Sequence, residues 1–178
     1  VALDHELGLA YLYSDGWNRY DGSRTADTKQ SQRIYGANVY SKNRLTSGWT
    51  STLKLGQSAD HGEDYNNGNR TSLIESKQTQ YQWQNDIDLA IGSALLAVER
   101  TEQTVSGSVN YAVKDRSINS YLAGWQGKYE AHRAQINVRR DDNSQFGGKT
   151  TGSLAYGYQF NTNWRANGTV STGFKAPS

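Results

Sequence analysis

Between Gln80 and Leu89 the side chains separate by parity. Tyr81, Trp83, Ile87 and Leu89 fall on one face, and Gln80, Gln82, Gln84, Asp86 and Asp88 on the other. Asn85 alone interrupts the apolar set. A side-chain period of two is that of a β-strand, whose successive residues point to opposite faces of a sheet. Two carboxylates and three amides on one face cannot be buried dry without partners. The opposite face is rich in aromatics and needs a non-aqueous neighbour. Two architectures satisfy both demands: a soluble sheet with one wet face, or a barrel with lipid outside and water inside.

Composition narrows the choice. Apolar residues make up 35% of the 178, and the mean hydropathy is -0.83, low for a globular domain. Five Trp and 12 Tyr argue against disorder. A transmembrane barrel reconciles these facts, because only alternate residues of its membrane-crossing band are apolar. Gly 18 against Pro 1 suits long strands, in which proline would remove a ladder donor. With no cysteine, neither a disulfide nor a thiolate metal site can form. With no methionine, Val1 is expected not to be a translation start. No run approaches the length of a transmembrane helix, and no signal-peptide pattern occurs. The net charge of +2 and the lack of a basic run set nucleic acid aside as a partner.

Alternation extends this pattern to about nine strands, near residues 4–14, 30–41, 48–57, 80–89, 94–103, 116–126, 129–141, 150–160 and 164–174. The polar stretches 15–29 and 58–76 are expected to be long loops, and 104–115 and 142–149 moderate ones. The intervening connections are short. Outer-membrane barrels alternate long outer loops with short inner turns in this way. Trp49, Trp83, Trp125, Tyr158 and Trp164 fall near strand ends or in the apolar face, as interfacial girdles require. The expected fold is all-β, an antiparallel transmembrane barrel segment. The rival is a soluble all-β binding module, such as a lectin-like sandwich.

The run Asp141-Asp142-Asn143-Ser144-Gln145-Phe146-Gly147, a strand, and then Ser171-Thr172-Gly173-Phe174-Lys175-Ala176-Pro177 resembles TonB-dependent outer-membrane transporters. Phe-Lys-Ala-Pro is shared across that superfamily, while the Asp-Asp-Asn-Ser-Gln-Phe-Gly run resembles its cobalamin-importing branch. Gln80-Tyr81-Gln82-Trp83-Gln84-Asn85 and Asp64-Tyr65-Asn66 are similar to the same family in the same order. The resemblance covers 58–177, and the earlier part only loosely. It implies a plugged barrel of roughly 22 strands in the outer membrane of a Gram-negative bacterium. It also implies a lipid surround, a monomeric intact transporter, and import of cobalamin or another metal chelate, driven by TonB acting through the plug. Residues 1–178 are then a partial barrel domain, with the plug and the C-terminal strands absent. Such a piece is expected not to close and to leave two unpaired edges.

In the cobalamin branch, acidic outer loops bind calcium, and the resemblance makes Asp15 and Asp21 the candidates here. Calcium takes roughly six to eight oxygens, so a partner loop outside this chain must contribute. Asp-Gly pairs also serve as plain turn residues. Asp60, Glu63 and Asp64 form a second acidic group that reads as ordinary loop. No cofactor is otherwise expected. Gln80, Gln82, Gln84, Asp86, Asp88, Arg133, Gln135 and Arg139 are the residues expected to line the lumen, facing either the plug or water. His5, His61 and His132 sit apart, and no Gly-x-Ser-x-Gly elbow, phosphate loop or His-Glu-x-x-His motif occurs, so no enzymatic role is expected. Siderophore or haem import remains the alternative ligand reading; haem would call on His61.

Overall fold

A computed structural model describes residues 4–175 apart from 24 and 25; the side chains of 21–23 lie outside that description, as do Ala176 and Pro177 of the family-like run. The described chain is one antiparallel sheet whose strands lie side by side in chain order. These are β1 (His5–Ser23), β2 (Ala26–Thr46), β3 (Trp49–Asn66), β4 (Asn69–Asp88), β5 (Ser93–Gly107), β6 (Asp115–Tyr129), β7 (His132–Asn143), β8 (Gly147–Gln159) and β9 (Arg165–Ser171). β1 and β9 are the edges. All nine expected strands are present, joined as a meander of hairpins, the arrangement that neighbouring antiparallel segments reach with the shortest connections.

Cross-strand register carries the alternation across the whole sheet. Leu53 lies opposite Trp83 and Leu55 opposite Tyr81. Trp83 in turn faces Val98, Val98 faces Tyr121, and Ile136 faces Leu154. One face is therefore a continuous apolar band. Nothing covers it: Trp49, Leu53, Trp83 and Val98 are 39% to 53% exposed. Among the described residues the only buried apolar side chains are Ala59 and Ala97. A soluble sandwich would lay a second sheet over this band. Here all nine strands belong to one sheet, so the band is an exterior that requires hydrocarbon.

The band is also tilted. Val138, the last apolar outward residue of β7, traces laterally through Ala123, Leu96, Asn85, Ser51 and Asn43 to His5. The corresponding edge residue of β1 is Tyr13, eight positions beyond His5 across six strand-to-strand steps. With a rise of about 3.3 Å per residue and about 4.8 Å between strands, the strands lean about 40° from the normal to the band. Membrane barrels have this inclination.

Asn85, the one polar interruption of the apolar face, lies opposite Ser51 on the same side. The Trp49 indole N–H donates to Asn85 Oδ1 at 2.9 Å, and that of Trp83 to Ser51 Oγ at 2.9 Å. Both polar side chains are buried beneath the indoles. The pair is thus roofed, and its hydrogen-bonding groups are withheld from lipid.

Two expectations about loops are corrected. The polar stretches 15–23, 26–29, 58–66 and 69–76 are not loops but continue β1–β4, so that β2, β3 and β4 reach 21, 18 and 20 residues. A strand needs only about 9–11 residues to cross a bilayer. Consequently the connections do not alternate in length: residues 67–68 join β3 to β4 as tightly as 47–48 join β2 to β3. Asn67 and Gly68 have φ of 49° and 79°, which only a mirror-image hairpin turn requires. Sidedness resides instead in strand overhang. Beyond Tyr81, β4 runs outward to Asn69, whereas beyond Ile87 it stops at Asp88. Where both faces meet water, apolar alternation disappears, yet the backbone ladder continues.

Charge organises this overhang. Glu63 accepts from Arg70 Nη1 at 3.1 Å and from the Tyr65 hydroxyl at 3.0 Å, with Arg33 at 3.7 Å. The Arg70 hydrogen bond, then that of Tyr65, holds its carboxyl below the usual carboxylate range. The folded overhang therefore binds this proton less readily than the unfolded chain does. Its contribution is complete above the ordinary carboxylate pKa and is lost as pH falls through the lowered folded value.

Two outcomes follow in the whole barrel. Trp49→Phe strands the Asn85 oxygen and should cost about 1–3 kcal/mol in urea unfolding, with much of it regained in Trp49→Phe/Asn85→Leu; equal stability of wild type and single variant would refute the roofed pair. Glu63→Gln should weaken hydrogen-exchange protection of β3 and β4 at neutral pH, and acidification should do the same to wild type but not to the variant.

Candidate functional site on the lumenal face

The face opposite the apolar band is the inside of the wall. Gln78, Gln80, Gln82 and Gln84 occupy alternate positions of β4 on this face, followed by Asp86. Gln84 Nε2 donates to Asp86 at 3.0 Å and 3.1 Å, and Gln82 Nε2 to Glu99 Oε1 at 3.2 Å. Glu99 Oε2 also accepts from Arg139 Nη1 at 3.1 Å. The same guanidinium donates through Nε to Asp141 at 2.8 Å and through Nη2 to Ser120 Oγ at 2.8 Å. Ser120 donates to Asp141 Oδ1 at 2.5 Å and is only 3% exposed. Strands β4 to β7 are thus tied by one polar network, with Arg139 at its centre between two carboxylates.

Of the residues expected here, Gln82, Gln84, Asp86 and Arg139 join this network. Gln80, Asp88, Arg133 and Gln135 share the face but lie outside it; Arg133 and Gln135 sit near the inner end of β7, opposite Lys128 and Gln126. Glu99, Ser120 and Asp141 are central yet escaped the sequence reading. Glu99 was detectable, since it shares parity with Gln103 and alternates with Leu96, Val98 and Arg100 on β5. Asp141 stood next to a loop expected from Asp142, whereas the fold extends the strand to Asn143.

Farther out, Gln78, Gln103 and Arg116 lie directly across from one another on β4, β5 and β6. Gln103 Nε2 donates to Gln78 Oε1 at 2.5 Å and its own oxygen accepts from Arg116 Nε. With Asp60 they line a concavity of about 390 Å³ at the outer end of the lumenal face. Its groups both donate and accept, and the cations Arg116, Lys77 and Lys114 stand beside the carboxylates Asp60 and Asp115.

The calcium candidates need correction. Asp15 and Asp21 are not in a loop; both lie on β1, opposite Arg33 and Asp27. Six residues of extended strand separate their Cα atoms by about 20 Å, so they cannot ligate one ion together. The Asp15 carboxylate is exposed and accepts from the Tyr13 hydroxyl at 3.5 Å. Asp60 and Asp64 belong to the lumenal face and Glu63 to the outward one, so the second acidic group is split. Among the described residues, no three His, Cys, Asp or Glu side chains gather as metal ligands. All three histidines, His5, His61 and His132, share the outward face with Leu7, Leu55 and Ile136 respectively.

A nine-stranded tilted sheet with a lipid-facing band and a wet, networked inner face is a section of outer-membrane β-barrel. No protein-family model matches the chain. It is similar to the vitamin B12 transporter BtuB of Photobacterium profundum, 29% identical over 182 residues, covering 98% of this chain and 29% of that protein. In fold it resembles the siderophore receptor PirA of Pseudomonas aeruginosa, with TM-score 0.65 and 15% identity over 99% of this chain and 38% of that one. PirA of Acinetobacter baumannii gives TM-score 0.65 and 13% identity, over 96% of this chain and 34% of the receptor. The chain therefore spans about 29% of the length of its curated relative. Taken together, these similarities show the fold, that of a section of outer-membrane barrel wall. The relatives are a transporter and receptors rather than enzymes.

Arg139→Gln should leave Glu99 and Asp141 facing each other. Because the network is partly wet, the expected loss is about 1–2 kcal/mol in the whole barrel. Adding Glu99→Gln should recover part of it; an Arg139→Gln barrel as stable as wild type would dissolve the assigned centre.

Proposed function

We propose that this chain forms part of the wall of an importer for cobalamin or a related corrinoid. In that reading the wall provides the lipid-stable shell, lumenal contacts to a plug, and outer hairpins that help to capture ligand. The plug and its TonB partner lie outside this chain, and the intact transporter works as a monomer. The observation that carries the proposal is the 29% identity to a vitamin B12 transporter across 98% of the chain. The outer concavity agrees with it. Gln78 and Gln103 offer amide donors and acceptors there, groups that can pair with carboxamides on a ligand.

The siderophore alternative draws on shared fold alone, since those receptors are 15% and 13% identical. The haem alternative loses its ligand. His61 shares the outward face of β3 with Leu55 and lies between Glu63 at 3.7 Å and Glu75 at 4.0 Å, away from the lumen. Asp15 and Asp21 enter the cobalamin reading as members of separate calcium sites, each completed by oxygens from neighbouring hairpins.

Equilibrium binding to the whole transporter tests this. Cyanocobalamin should bind tightly, more so with calcium, and Asp15→Asn and Asp21→Asn should each reduce the calcium effect independently. Tight ferric-siderophore or haem binding without cyanocobalamin binding would overturn the ligand; calcium-independent binding would remove the aspartates from the account.

A further inference from the structure

The outward face carries a repeated arrangement just beyond the apolar band. On β4 and β5, Tyr81 lies directly opposite Arg100, and on β6 and β7, Tyr121 lies directly opposite Arg140. Each arginine pairs with the carboxylate two residues farther out on its own strand. Arg100 Nε donates to Glu102 at 2.7 Å, and Arg140 Nε donates to Asp142 at 3.4 Å with Nη2 ion-paired to the same carboxylate at 2.9 Å. The order along each strand is therefore apolar side chain, arginine, acid.

Neither guanidinium is saturated. A guanidinium has five N–H groups. Arg100 uses one on Glu102 and one on Asn119, at 3.2 Å. Arg140 places Nε and Nη2 on Asp142, at 3.4 Å and 2.9 Å. Three N–H groups of each remain, on side chains about half exposed. The carboxylates hold the forks in place without occupying them. The two copies are two strands apart, about 10 Å.

The height of this row decides what meets it. Arg100 follows Val98 and Arg140 follows Val138, the last apolar outward residues of their strands. That level belongs to the headgroups of the surrounding leaflet, and the overhang of β1–β4 marks it as the outer one. An arginine fork matches phosphate in a bidentate manner, and a tyrosine beside it suits the amphipathic boundary. We propose that Tyr81–Arg100 and Tyr121–Arg140 form a two-point site for a phosphorylated glycolipid of the outer leaflet. Glu102 and Asp142 act as positioning groups. They also repel phosphate, so recognition depends on the free N–H geometry rather than on net charge.

The experiment uses the whole transporter in phosphatidylcholine discs containing either diphosphorylated lipid A or its dephosphorylated form, with glycolipid retained per protein as the readout. Wild type should retain the phosphorylated form about tenfold better. Arg100→Gln/Arg140→Gln should abolish that preference, and Arg100→Lys/Arg140→Lys should keep only part of it, because lysine lacks the fork. Equal retention of the two glycolipids by wild type would overturn the proposal, and this arm needs no variant to fold. An undiminished preference in a folded glutamine variant would overturn it equally.

Discussion

The constraint on which everything else depends is the backbone ladder. In hydrocarbon there is no water to satisfy an exposed N–H or C=O, so every strand inside the band must pair on both sides. The meander meets this demand for β2 to β8. Once the ladder is in place, the pleat alone assigns each side chain to lipid or lumen. The tilt of about 40° then sets how far the apolar edge slips from strand to strand. A sheet stabilised this way needs no packed interior, which is why large apolar side chains remain uncovered and burial is confined to small or roofed residues.

The same logic explains how polar groups are tolerated on each side. On the lipid face Ser51 and Asn85 persist because two indoles cap them. On the lumenal face carboxylates persist because Arg139 and the glutamines bridge them, and because water can reach what they leave unpaired. Outside the band, charge pairing takes over: Glu63 is supported by cations from two other parts of the overhang. The three settings use different chemistry for one purpose, to keep long strands paired while their surroundings change from lipid to water.

Much of the fold was legible because parity is local. The segment from Gln80 to Leu89 separates into faces without knowledge of any neighbour, and each expected strand appears. The missed portions were those where parity carries no signal. Residues 58–76 are polar on both faces because both faces are wet, and polarity alone resembled a loop. The placement of Asp15 and Asp21 failed for the same reason. Glu99 and Asp141 became a site only through register, which brings β5 and β7 to β6 from opposite sides.

The amino-acid sequence by itself determined that this chain is a wall with an apolar and a polar side, since alternation of side chains along an extended backbone follows from covalent geometry. It also carried the family resemblance. Only the tertiary structure decided which strands overhang the membrane, which carboxylates share Arg139, and that His61 faces away from the lumen. Those properties belong to pairs of strands. The offset between two strands is set by their turns and by the ladder between them, and no single strand contains it.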